Sequence, residues 1–215
     1  MASILLLQND PVVGACLRRT LSAEPALRIT GMAATLAQAR QHLDRAGADL
    51  LVADLRIGDE RLIELLRERR SLGLQGHPQV LVIAMSPDDP RLMQALRHGA
   101  HAYFIHGSPI QALAGVIHQV LAGESPMSAP IARRLKAHFK RPHWKAGGSH
   151  AEAPFAPGLT EAEHQMLNRV SQGYLLHEIA REMQTSEHSV GLRTRSLYRK
   201  LALDRRASAM LRQAA

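Results

Sequence analysis

Residues 159–203, LTEAEHQMLNRVSQGYLLHEIAREMQTSEHSVGLRTRSLYRKLAL, decide the architecture of the C-terminal part of this chain. Thr160 followed three residues later by Glu163 is a capping-box pattern, in which hydroxyl and carboxylate satisfy helix-end N–H groups reciprocally. It opens a helix running to about Ser171. Leu175 to Met183 carries a second helix and Gln184-Thr185 a tight turn. Ser186 is placed to cap a third helix from Glu187 to Leu201, whose Val190, Leu197 and Leu201 fall on one apolar face. Two helices across so short a turn fit a helix-turn-helix. A fourth short helix, Arg205 to Arg212, is expected to complete an all-α four-helix bundle, with Ala207, Met210 and Leu211 covering its core or meeting another subunit.

Upstream, the period alternates. Ser3 to Gln8 reads as an apolar strand, and Asp10-Pro11 opens a helix with Val12, Val13, Cys16, Leu17 and Leu21 at helical spacing. Strands follow near Leu27 to Met32, Leu50 to Ala53, Val80 to Ala84 and Ala102 to Ile105. Helices follow near Leu36 to Ala46, Arg61 to Arg69, Pro90 to Arg97 and Pro109 to Leu121, with a turn at Gly73 to Pro78. Five apolar strands alternating with amphipathic helices imply an α/β domain, a doubly wound five-stranded parallel sheet covered on both faces. Between the two parts, Ile131 to Phe139 reads as a helix, Pro142 to Gly158 as a linker, and Trp144 is expected to pack back on the first domain. The expected division is residues 1–124, a basic connector 125–158, and 159–215.

Charge follows this division. Residues 1–124 carry 12 basic and 12 acidic side chains, residues 125–215 carry 15 and 7, so the whole net charge of +8 lies in the C-terminal part. That asymmetry favours a nucleic-acid partner. Aromatic residues are only 3% of the chain, too few for a base-stacking RNA surface, whereas 46% apolar residues suffice for real cores. No apolar run is long enough to span a membrane and MASILLLQND lacks the pattern of a secretory leader, so a cytoplasmic protein is expected. A single cysteine and dispersed histidines supply no thiolate cluster or zinc spacing. No residue set provides both a nucleophile and an oriented base, so no enzyme is expected.

Two candidate sites follow. Docked in a major groove, the third helix would present His188, Arg193, Arg195, Arg199 and Lys200. At about 100° per residue, Gly191, Leu192, Arg195 and Arg199 share a face away from the apolar seam. Arg195 is the expected base reader, with Arg193, Thr194, Arg199 and Lys200 on the phosphate backbone. Ser186, His188 and Ser189 at the helix start complete the set. In the first domain, open parallel sheets place their sites beyond the carboxyl ends of the strands. Asn9-Asp10, Asp54, Ala84 and His106 are all expected at that rim.

The register of Leu159-Thr160, Glu163, Leu167, Gly173, Glu178-Ile179-Ala180, Ser186, Val190 and Leu197 to Leu201 resembles the DNA-binding domain of LuxR-type regulators. Asn9-Asp10-Pro11, Asp54 and the run Gly99-Ala100 to Tyr103 make residues 1–124 similar to the receiver of response regulators of that family, the LuxR/FixJ type. The resemblance implies a flavodoxin-like receiver followed by a helix-turn-helix domain. The implied protein is a transcription regulator of two-component type that binds paired half-sites on double-stranded DNA as a homodimer.

The chain departs from the family at both sites. Gly191 stands where the family usually has lysine, and Arg193 where it commonly has histidine. In the receiver, the family's acidic pair, phosphoacceptor, Thr or Ser, and Lys correspond to Asn9-Asp10, Asp54, Ala84 and His106. Phosphoryl transfer to a carboxylate needs Mg²⁺ and fixed donors. Any Mg²⁺ here would sit weakly on Asn9, Asp10 and Asp54, and no cofactor is required. A protonated His106 could pair with Asp54 and so make a pH-sensitive contact. The expected receiver is therefore degenerate, and control passes to dimerisation, another protein or a small ligand. The alternatives are a phosphorylation-dependent regulator acting through Asp54, or a protein-interaction regulator with vestigial DNA binding.

Overall fold

The computed structural model describes residues 1–57, 62–66, 78–140 and 158–213, with Lys140 and residues 203–213 described through the backbone alone. The chain divides into two compact units, Met1–Ser125 and Pro126–Ala215.

In the first unit, strands β1 (Ala2–Leu7), β2 (Leu27–Ala33), β3 (Leu50–Asp54), β4 (Gln79–Ala84) and β5 (Ala102–Ile105) form one parallel sheet in the order β2-β1-β3-β4-β5. β3 is buried along its length, which explains its unbroken apolar run ahead of Asp54. The helices are α1 (Pro11–Ser22), α2 (Leu36–Ala46), α3 (62–66), α4 (Pro90–Arg97) and α5 (Gln111–Leu121). Their starts are written locally. Asp10 and Asp89 cap α1 and α4, each followed by Pro at the first helical position, where a missing N–H costs nothing, and Thr35 caps α2. One core gathers Ile4, Leu6, Leu50, Val52, Leu81, Ile83 and Phe104 from the sheet with Leu17 and Leu21 of α1 and Leu113, Ile117 and Val120 of α5. The remainder of the expected helix Arg61 to Arg69, the turn before Pro78, and the linker with Trp144 lie outside the described residues.

The second unit comprises α6 (Ala129–Lys140), α7 (Glu161–Gln172), α8 (Leu176–Glu182) and α9 (Glu187–Gln213). α6, read from sequence as part of the connector, packs on α7. Its Ile131, Ala132 and Leu135 are buried, Arg133 donates to the Ser171 carbonyl at the end of α7 (3.1 Å), and Tyr198 of α9 donates to the Pro126 carbonyl (2.9 Å). The capping box forms as the sequence indicates: Thr160 Oγ1 accepts from Glu163 N, and Glu163 Oε2 accepts from Thr160 N at 2.7 Å. Gly173 closes α7 at φ +96°, a conformation that a side chain would strain.

The expected separate fourth helix, Arg205 to Arg212, does not form. α9 runs without a break to Gln213, and residues 202–213 contain no Gly or Pro to stop it. Among the described residues, α6 supplies the fourth helix of the bundle instead.

Candidate nucleic-acid interface and carboxylate pocket

The turn between α8 and α9 is built by Gln184, the one non-glycine described at positive φ (+50°), and by Thr185, whose N–H bonds the Ala180 carbonyl at 2.9 Å. Ser186 Oγ then accepts from Ser189 N (3.1 Å), and the Ser186 carbonyl accepts from Val190 N, starting α9 as expected. Val190, Leu197 and Leu201 are fully buried, so the apolar seam is where the periodicity places it.

The polar face differs from its expected form. Ser186, His188, Leu192 and Arg199 are exposed, and Ser189 and Arg193 half-buried. Leu192 at 42% is an exposed apolar side chain on an otherwise polar strip. Four residues of the expected set are covered or tied inward. Arg195, the expected base reader, is only 6% exposed, and burial lowers its pKa to about 10; to reach a base its guanidinium must leave that position. The helical wheel gives its direction, and neighbouring atoms cover it. Thr194 is buried too, its hydroxyl donating to the Val190 carbonyl at 3.2 Å, and Gly191 is buried. Lys200, expected on phosphate, is tied inward: Nζ lies 2.6 Å from Glu163 Oε2 and 2.9 Å from the Gly158 carbonyl. Glu163 also accepts from Ser196 Oγ at 2.9 Å. Burial pushes the Glu163 pKa up, but the hydrogen bonds from Lys200, Thr160 and Ser196 outweigh it and hold the carboxyl below its ordinary value.

A helix-turn-helix with these caps decides the family. Residues 157–212 match the family described as bacterial regulatory proteins, luxR family. These residues form a LuxR-type helix-turn-helix domain, and a receiver-like α/β unit precedes it. The chain is 28% identical over 209 residues to the DNA-binding transcriptional activator DevR/DosR of Mycobacterium tuberculosis, covering 97% of this chain and 92% of that protein. It is 25% identical over 208 residues to the nitrate/nitrite response regulator NarL of Escherichia coli K12, covering 97% and 93%. Its fold resembles that of the response regulator RcsB solved in complex with DNA, with a TM-score of 0.54 at 17% identity, covering 94% of this chain and 92% of that one.

In the receiver-like unit, the expected rim residues lie at or just beyond the carboxyl ends of the strands, and their side chains differ in exposure and in partners. Asp54 ends β3 and is 2% exposed. Asn9 is exposed. Asp10, beside Arg56, caps α1: its Oδ1 accepts from Val12 N at 2.9 Å and from Val13 N at 3.2 Å. Ala84 is buried at the end of β4, its carbonyl accepting from His106 N at 2.7 Å, while the His106 side chain is exposed. The His106–Asp54 contact that a protonated His106 could make is not among the bonds of Asp54.

The partners that Asp54 does have are Gln8 and Arg56, neither singled out by the sequence. Gln8 Nε2 donates to Oδ2 at 2.8 Å. Arg56 donates through its backbone N to Oδ1 (2.8 Å), through Nε to both oxygens (3.1 Å each) and through Nη2 to Oδ2 (2.7 Å). Burial acts to raise the Asp54 pKa, but the bonds from Arg56 and Gln8 prevail and hold it below the usual carboxylate range. A cation two residues past a strand-ending Asp, and a lone amide closing an apolar strand, were the legible signals.

Mg²⁺ requires an octahedron of oxygen ligands. Here the expected set fails: Asn9 is exposed, Asp10 caps a helix, and both Asp54 oxygens accept from Arg56. Among the described residues, no three His, Cys, Asp or Glu side chains gather as a metal site. The donor set does not suit a divalent cation. Nor, among the described residues, is any helix long and apolar enough to cross a membrane.

Proposed function

We propose that this chain is a sequence-specific regulator of transcription that binds double-stranded DNA as a homodimer through the start of α9, with an output that does not require an aspartyl phosphate. The carrying observation is the α8–turn–α9 unit, with Ser186, His188, Leu192 and Arg199 exposed along one helix in the half of the chain that holds all the net positive charge. Such a helix suits the major groove, where Arg199 and Arg193 meet phosphate and Leu192 offers an apolar contact to a thymine methyl. RcsB, which shares the architecture, is solved as dimers on DNA, and this supports the same mode here. The chain is assigned no reaction of its own.

Independence from phosphate is supported by the occupied Asp54 carboxylate, whose oxygens are already bonded to Arg56 and Gln8. Control then falls to dimerisation, a regulatory protein or a small ligand.

Selection from random double-stranded oligonucleotides, followed by competition at fixed salt, tests the DNA assignment. A paired motif should be enriched, and Arg199→Ala should weaken binding to all sequences and lower the salt dependence. An absence of sequence preference would remove the assignment.

A further inference from the structure

Asp54 lies at the carboxyl end of β3, beside the end of β1, which is the switch point of a β2-β1-β3 sheet and the place where such folds bind ligands. A carboxylate buried there must be compensated, because an isolated charge away from water is strongly disfavoured. Two side chains meet that requirement. Arg56 folds back over two residues and presents its fork to the carboxylate; it remains 39% exposed and is drawn also toward Asp10.

Gln8 is 5% exposed and its amide has one permitted orientation. The Asp10 N–H, a donor only, bonds Gln8 Oε1 at 2.9 Å, and this turns the Nε2 donor toward Asp54. A ligand of a metal must offer a lone pair, and Gln8 offers an N–H.

We infer that Gln8 and Arg56 together take the place of a divalent cation at Asp54, so that the receiver neutralises its buried carboxylate internally and excludes the metal. The local charge is balanced by one carboxylate and one guanidinium. A divalent cation entering this pocket would add two charges, meet one buried carboxylate, and have to displace Arg56 and rotate Gln8 away from Asp10. Asp10 cannot compensate without giving up the start of α1. The pair therefore serves as a positioning device: it fixes Asp54 against β1 and sets what the pocket admits. This deepens the phosphate-independent part of the proposed function. Its readout is metal binding rather than DNA binding, so either can fail without the other.

The experiment uses the full chain, with Mn²⁺ binding followed by electron paramagnetic resonance and thermal melts with and without Mg²⁺. Wild type should bind no Mn²⁺ below ~1 mM, with a melting temperature that Mg²⁺ does not move. The double variant Gln8→Glu/Arg56→Ala, which pairs a second carboxylate with Asp54 and removes the guanidinium, should bind at least about tenfold more tightly and be stabilised by Mg²⁺. Adding Asp54→Asn should abolish the gain. Wild-type Mn²⁺ binding that Asp54→Asn removes would overturn the inference, as would a folded double variant with no gain. Should the double variant stay unfolded even in Mg²⁺, the single Gln8→Glu variant is judged by the same criteria.

Discussion

The two units of this chain each hold a buried carboxylate with a cation, and the two pairs differ in what they cost the molecule. In the second unit, Glu163 serves a helix end: it completes the capping box with Thr160 and then collects Ser196 and Lys200 from α9. The pair joins α7 to α9 and leaves Ser186, His188, Leu192 and Arg199 exposed. In the first unit, Asp54 lies at the rim of the sheet, at the end of β3, and both its oxygens accept from Arg56 while Gln8 donates to one of them. The same interaction ties helices together in one place and covers a carboxylate at the sheet rim in the other. A salt bridge therefore has to be read by what its carboxylate would otherwise bind.

Removing each carboxylate's support separates the two cases. Glu163→Ala should have the largest effect, roughly 3 kcal/mol of destabilisation, because it removes the carboxylate that accepts from Lys200, Ser196 and the Thr160 N–H. Urea unfolding measures it, and a loss under about 1 kcal/mol would mean that the capping box contributes little.

Arg56→Ala should cost less, about 1 to 2 kcal/mol at neutral pH, by stripping charged hydrogen bonds from Asp54. Its pH dependence sharpens the comparison. The native Asp54 pKa is lowered, so its contribution is fully present above the unfolded carboxylate value near ~3.9 and is lost as pH falls through the lower native value. Without the Arg56 side chain that pKa moves up from its wild-type position, because burial is then opposed only by Gln8 and the residue-56 N–H. The stability gap between wild type and variant should then close as pH falls below ~4; a gap that widens in acid would contradict the pairing.

Arg195 sets function against stability within one side chain. Burial disfavours its cation, so Arg195→Leu should raise stability by about 1 kcal/mol while impairing DNA binding if the guanidinium emerges to reach a base. Calorimetry and competition binding on the same samples test both halves, and a destabilised variant would show that the buried guanidinium is well compensated. The smallest expected effect is at the turn. Gln184 sits at φ +50°, and Gln184→Gly should stabilise by up to about 1 kcal/mol, read as a small upward shift in urea midpoint.

The scaffold was legible because its signals are local and periodic. Asp10-Pro11, Thr35, Asp89-Pro90 and Thr160 with Glu163 announce helix starts by themselves, and the apolar strands announce a covered parallel sheet. The sites were less legible because side-chain partnership is not periodic. Asp10 reads equally as pocket acid or helix cap, and the two N–H groups of Val12 and Val13 decide it. Helical spacing puts Arg195 beside Leu192 and Arg199, but burial depends on what packs over that face. Lys200 reads as a phosphate contact until Glu163, 37 residues earlier, is seen to hold it. The break expected between Leu201 and Arg205 is absent because residues 202–204 carry no Gly or Pro, so the two expected helices are one.

The most direct test of the account is the affinity of the full chain for its selected DNA site, measured for wild type and Asp54→Ala with and without a small phosphodonor and Mg²⁺. The account predicts that the phosphodonor leaves wild-type affinity and dimerisation unchanged and that Asp54→Ala responds no differently. A large phosphodonor-dependent gain in wild type that disappears in Asp54→Ala would contradict it.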